Sequence, residues 1–153
     1  MPKHSRRAWK QGFFEPNHPE KYTGTHPIVY RSGLEKSAMS FFDENSSVIE
    51  WRSETLIIPY IKPTDGRVHK YYTDFLVHIR DGKGIVRKFV IEVKPYKQTI
   101  PPKTGGNKKP KTLLMEQLNF AINVAKWDAA KEWCKKNGYT FSMVTEKDVE
   151  KYL

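Results

Sequence analysis

The stretch "DFLVHIRDGKGIVRKFVIEVK", residues 74–94, constrains this chain more tightly than any other part of it. Two apolar runs, Phe75 to Val77 and Phe89 to Ile91, flank Asp81-Gly82-Lys83-Gly84, the composition of a tight hairpin turn. Side chains alternate along a strand, so a register assigns every residue to a face. If Gly82–Gly84 form the loop with Gly84 in the left-handed region, Asp81 faces Ile85. The same register sets Asp74 opposite Glu92. Thr73, Phe75, Val77 and Ile79 then share a core face with Ile85, Phe89, Ile91 and Val93. Asp74, His78, Lys88, Glu92 and Lys94 fall on the other face. Carboxylates beside apolar runs are costly to bury unless they are paired or bind a cation. The arrangement is therefore either an ordinary ion-pair cluster or a metal site.

The remaining pattern supplies a frame for this hairpin, whose strands are expected at about Val68–Arg80 and Ile85–Lys94. Ser32 is an N-cap with Glu35 as its capping-box partner, opening a helix to about Glu44 with Leu34, Ala38, Phe41 and Phe42 on one side. Strands are expected at Val48–Trp51 and Thr55–Ile61, followed by a turn at "PTDG". A long helix, Leu113–Asn137, is capped by Thr112 and stopped by Gly138. "YTFSMV" reads as a last strand, and Thr145 with Asp148 caps a terminal helix. The order α-β-β-β-β-α-β-α implies an α/β (α+β) fold, a mixed sheet flanked by helices. Residues 28–153 form the expected domain, with a mobile basic loop at 95–111. Residues 1–27 lack any period and read as an irregular basic arm. Its Arg6, Arg7 and Lys10 suit a phosphate backbone, whereas its aromatics equally suit packing on the domain or on a partner.

Charge narrows the class of partner. Lys and Arg total 27 against 17 Asp and Glu, a net +10 with histidines neutral, which favours a polyanion such as nucleic acid. No apolar run reaches the length of a membrane span and no leader is visible, so an intracellular protein without membrane contact is expected. Cys134 is the single cysteine and excludes an internal disulfide. Its place in a helical pattern reads as a packed thiol.

Asp74, seventeen residues, then Glu92-Val93-Lys94 is a spacing with chemical meaning. Two facing carboxylates suit Mg2+, a hard cation that prefers oxygen ligands. A lysine two residues beyond the glutamate shares its face and can orient a water or offset phosphate charge. In this the chain resembles the PD-(D/E)XK nucleases, departing from them in Thr73, where that family carries proline. The resemblance implies a restriction-endonuclease-like core, Mg2+ with Mn2+ able to substitute, and a ligand from the Val93 carbonyl. It also implies a further glutamate from the helix "SGLEKSAMSFFDE", here Glu35, in competition with its capping role.

Longer stretches sharpen the likeness. "LEKSAMSFFDENSSVIEWRSETLIIPYIKP", "YYTDFLV", "IEVKPYKQ" and "EQLNFAINVAKWDAAKEWC" resemble the restriction-type subunit of heteromeric transposases, and still more the head-completion nucleases of T-even-type tailed bacteriophages. The likeness runs from Tyr22 onward. It implies a deoxyribonuclease, endo- or exonucleolytic, acting on packaged DNA ends before tails join filled heads. It further implies double-stranded DNA as substrate, head, portal or connector proteins as partners, and action in the host cytoplasm with retention in the virion. Gln98 corresponds to a polar position in the phage proteins and suits contact with the scissile phosphate or its water. Among the remaining candidates, Lys103, Lys108, Lys109 and Lys111 read as sequence-independent phosphate contacts. Lys126 is a phosphate contact or a solvated lysine, and Gln117, half a turn out of phase, cannot face the site with it. Glu54 is an outer-shell acid or an exposed edge residue, and His69 and His78 flank the hairpin without a required role. No base-reading module is visible, so little sequence preference is expected. The rival readings are a structural or DNA-binding head-completion factor with little catalysis, and a transposon or repair endonuclease.

Overall fold

The computed structural model of the chain describes residues 11–152, so Arg6, Arg7 and Lys10 lie outside the described residues. In chain order the elements are β1 (Gly12–Phe13), β2 (Val29–Tyr30), α1 (Gly33–Glu44), β3 (Val48–Ser53), β4 (Ile57–Ile61) and β5 (Val68–Tyr72). They continue with β6 (Phe75–Arg80), β7 (Val86–Val93), α2 (Pro110–Asn137), β8 (Thr140–Val144) and α3 (Glu146–Tyr152). A four-stranded sheet in the order β3-β6-β7-β8 forms the centre. Its first three strands are antiparallel and β8 joins β7 in parallel, making the sheet mixed. The expected architecture is therefore present, with three strands more than the sequence pattern suggested: β1, β2 and the division of the expected strand 68–80 into β5 and β6.

The central hairpin has the expected register, with Phe75 opposite Ile91, Val77 opposite Phe89 and Arg80 opposite Val86. Gly84 adopts φ +80°, where a side chain would be strained. Asp81 secures the loop: its N–H reaches the Ile85 carbonyl at 2.9 Å, and its carboxylate accepts the N–H groups of Lys83 and Ile85 at 2.9 and 3.0 Å. Ile85 itself is a correction. It lies outside the strand and is 52 % exposed, because the loop closes before its side chain reaches the core.

One face of the sheet is dry. Ser32 accepts the Glu35 N–H at 3.1 Å to start α1, which buries Ala38, Met39 and Phe42 against Trp51, Phe75, Val77, Ile91 and Val93. Trp51 is fully buried and meets Tyr22 edge-on at a centroid distance of 4.7 Å. From Gln11 onward the segment expected to be an irregular arm is folded onto this core. Asp43 is buried, and its carboxylate accepts the N–H groups of Asn17 and His18, each at 2.8 Å. Tyr22 and Ile28 complete the cluster.

The other face is covered by α2 and the β4–β5 hairpin, around Ile58, Tyr60, Tyr71, Trp127 and Ala130. The face set apart from the core in the sequence is thus a second interior. α2 starts at Pro110, not Leu113, with Lys109 as its N-cap, so Pro110 and Lys111 belong to the helix, not to the basic loop. Proline fits the first helical position because its missing N–H would have no partner there. Cys134 is buried in this layer, and burial pushes its thiol up to about 11, consistent with a packing role. No helix among the described residues is long and apolar enough to cross a membrane.

Candidate active site

The expected continuous strand Val68–Arg80 breaks at Thr73 and Asp74, and this break builds the site. Across it, Ser53 pairs with Phe75 and Ile57 pairs with Tyr72, leaving residues 54–56 opposite only residues 73–74. The extra residue is a bulge, which bends the ladder and re-aims nearby side chains. Glu54 takes it up with φ +54°, a conformation unusual for a residue with a Cβ. Its N–H donates to the Asp74 carbonyl at 3.0 Å, and its carboxylate pairs with Arg31. Thr73 is pinned to the Leu56 carbonyl through both its N–H, at 3.1 Å, and its hydroxyl, at 3.0 Å. Asp74 therefore sits on a fixed backbone.

Its Oδ2 accepts the Val93 N–H at 2.7 Å, reaching across to the end of β7. Glu92 precedes Val93 on the same strand, is only 5 % exposed, and lies close enough to Asp74 for the two charges to interact. Lys94 Nζ stands 3.8 Å from Glu92 Oε1. Burial, then the neighbouring Glu92 charge, drives the Asp74 carboxyl well above the usual range, against the pull of the Val93 N–H. Burial also raises Glu92, although Tyr71, Lys94 and Lys126 favour its ionised form. Two acids held together away from water disfavour the doubly ionised state, a cost that a positive charge between them would relieve.

The structure adds two groups to the hairpin trio. Tyr71, fully enclosed, donates its hydroxyl to Glu92 Oε2. By alternation along an unbroken strand it would have shared the face of Phe75, opposite Asp74, so only the bulge brings it here. Lys126 lies half-buried on α2, its Nζ 5.7 and 5.8 Å from the ring centroids of Tyr71 and Tyr60. Burial, then repulsion from Lys94, lowers its pKa. It is thus an inward-facing cation of the site, and the solvated reading of Lys126 is corrected.

The remaining candidates are placed as follows. Glu35 is close enough to raise Asp74 electrostatically, yet its carboxylate accepts the Arg31 N–H at 3.0 Å in a capping role. Among the described residues no three His, Cys, Asp or Glu side chains converge as a ligand cluster. His78 is held between Glu50 at 2.9 Å and the Tyr139 hydroxyl at 3.0 Å, and His69 contacts Asp65 at 2.7 Å. Neither interaction involves the acidic pair. Gln98 ends a short 3-10 turn, Tyr96–Gln98, beyond Lys94. Lys103, Lys109 and Lys111 are exposed, while Lys108 is paired with Glu116 at 2.7 Å.

The oxygen-rich donor set suits a hard divalent ion. Mg2+ is commonly held by one or two carboxylates while it keeps several waters, so Asp74 and Glu92 suffice for it. Two ammonium groups beside the acids suit an anionic substrate.

Residues 45–146 match the family described as TnsA-like endonuclease N terminal. The chain is also 34 % identical over 139 residues to the head completion nuclease of Enterobacteria phage T4, an alignment covering 88 % of this chain and 90 % of that protein. The matched span contains Asp74, Glu92 and Lys94 but begins after Glu35.

Proposed function

The chain belongs to the TnsA-like endonuclease N-terminal family, and from that premise we propose that it is a metal-dependent DNA nuclease of phage head completion. The observation that carries the catalytic assignment is the Asp74 carboxylate held on the Val93 N–H beside the buried Glu92, with Lys94 3.8 Å from Glu92. Likeness to the T4 head completion nuclease across most of both chains supports the biological setting.

Asp74 and Glu92 would hold Mg2+, with Mn2+ as a substitute and the Val93 carbonyl as a further ligand. A divalent ion there supplies phosphoryl polarisation and acidifies a bound water. Lys94 orients the attacking water and offsets charge developing on the phosphate. Lys126 adds a second positive charge from the helix side, and Glu35, held in its capping role on α1, acts on Asp74 through its charge. Gln98, four residues beyond Lys94, is assigned to contact with the substrate phosphate. Exposed Lys103, Lys109 and Lys111 contact the backbone of double-stranded DNA without reading its sequence.

The test is cleavage of supercoiled and linear plasmid by the purified chain, with Mg2+ and with EDTA. Cleavage should require the metal and should vanish in Asp74→Ala and Lys94→Ala proteins that remain folded. Wild-type cleavage by both variants would refute the assignment. Dependence on transposon ends, in place of cleavage of plain plasmid, would move the protein to the transposase branch.

A further inference from the structure

Beyond the acidic pair, the residues that follow Lys94 and one stripe of α2 enclose a groove of about 630 Å3. One wall is the segment after β7, with Lys97, Gln98 and Pro101. The other is α2, with Asn119, Phe120 and Asn123. Positions 119, 123 and 126 recur at three- and four-residue spacing, so the groove stripe continues along the helix into Lys126. Lys108 bridges Glu116 at 2.7 Å and the Lys103 carbonyl at 3.2 Å, tying the two walls together and neutralising the acid of the groove. Gln98 is four residues from Lys94, at most about 14 Å of extended chain. One wall of the groove thus continues the chain onward from Lys94, and the other continues the α2 stripe toward Lys126.

Its chemistry matches neither a bare phosphate track nor a protein core. Three amides, Gln98, Asn119 and Asn123, each offer both donors and acceptors. Pro101 and the Phe120 ring supply an apolar surface, and Lys97 and Lys103 stand exposed on the rim. A duplex presents phosphates outward and conceals its base faces, and it is too wide for a cleft in the small-ligand size range. Unpaired nucleotides present a π-face for stacking, base edges for amides, and a phosphate for rim cations.

We propose that this groove is a binding site for a short single-stranded DNA segment that continues from the scissile phosphate. The protein would thus favour frayed or tailed ends over blunt duplex. The inference rests on the nuclease reading above for the position of the phosphate. It assigns Asn119, Asn123 and Phe120 to binding, not to chemistry.

The experiment is equilibrium binding of the full chain in EDTA to labelled DNA, followed by fluorescence anisotropy. The probes are a blunt duplex and the same duplex with a short thymidine tail of either polarity. The wild-type chain should bind one tailed form about tenfold more tightly than the blunt form, since stacking of a base is worth roughly that much. The Asn119→Ala/Asn123→Ala double variant, on positions outside the buried core, should lose this preference and keep its blunt-duplex affinity. Phe120→Ala should do the same. Equal wild-type affinity for tailed and blunt DNA would overturn the proposal, as would a preference that survives the double variant. Because binding is read without metal, the two readings fail separately. Loss of the tail effect with Asp74-dependent cleavage intact removes only the groove. A persistent tail effect with cleavage indifferent to Asp74 removes only the catalytic assignment.

Discussion

Strand β7 presents two different surfaces from consecutive residues. Toward α1 it offers Ile91 and Val93, packed with Trp51, Phe75 and Val77 in an interior of aromatic and branched side chains. On the opposite face stand Glu92 and then Lys94, the former enclosed with Tyr71 and within electrostatic reach of Lys126. The first surface gains stability from burial, and the second gives some of it up by holding like charges together. A fold can hold a charge cluster of this kind when an independent core fixes the strands that carry it. The asymmetry between the two faces is therefore the physical basis of the site.

Breaking each face in turn should separate activity from stability. Asp74→Asn, on the charged side, should lower cleavage by about 10³-fold or more, the scale of losing a transition-state contact. It should leave the melting temperature unchanged or higher, because a like-charge repulsion disappears with the carboxylate. Trp51→Ala, on the dry side, should cost about 3–5 kcal/mol of stability in chemical denaturation, as a fully buried aromatic ring is lost. What folded protein remains should cleave normally. A variant of either kind that shifted both quantities equally would show that the faces are not independent.

The acidic pair also predicts an unusual pH dependence in EDTA. Both carboxyls titrate higher in the folded chain than the usual carboxylate range. The folded state therefore holds more protons than the unfolded one, and stability from these groups falls as pH rises. Their contribution is fully present below about pH 4, the ordinary carboxylate value, and is lost as pH passes through the raised values. Thermal melts of wild type and Asp74→Asn should accordingly diverge as pH increases, with the variant the more stable at neutral pH. Added Mg2+ should close the gap by raising the wild type alone. A gap that is constant with pH and metal would mean that the two carboxyls do not interact.

The hairpin was readable from sequence because its information is local. The Gly84 loop fixes the register, and the register alone puts Asp74 opposite Glu92. The cap at Ser32, the left-handed Gly138 and the Thr145–Asp148 pair were equally legible, since each depends on residues a few positions apart. What could not be read was set by long-range contact. Tyr22 and Asp43 draw residues 11–28 onto the core through partners more than twenty positions away. The inward face of Lys126 exists only because β4 and β5 place two tyrosine rings beneath it. The bulge at residues 54–56 was hidden too, for "RSETLI" carries no glycine to announce a positive φ. Without that bend, Tyr71 reads as a core residue of the wrong face.

Tyr71 offers the finest probe of how the charged face is held. Its hydroxyl favours the ionised form of Glu92, so Tyr71→Phe removes that bond while leaving the ring and its packing in place. Glu92 should then hold its proton more tightly and compete less well for a cation. The Mg2+ concentration giving half-maximal cleavage should rise by about tenfold, the lower end for loss of a group that supports a metal ligand. Cleavage at saturating Mg2+ should fall less, since the phosphate and Lys94 are untouched. Stability should fall by about 1 kcal/mol, the scale of one hydrogen bond. A metal titration superimposable on wild type would make Tyr71 a packing residue only. The burial of Glu92, and not its hydroxyl partner, would then set the ionisation of the charged face.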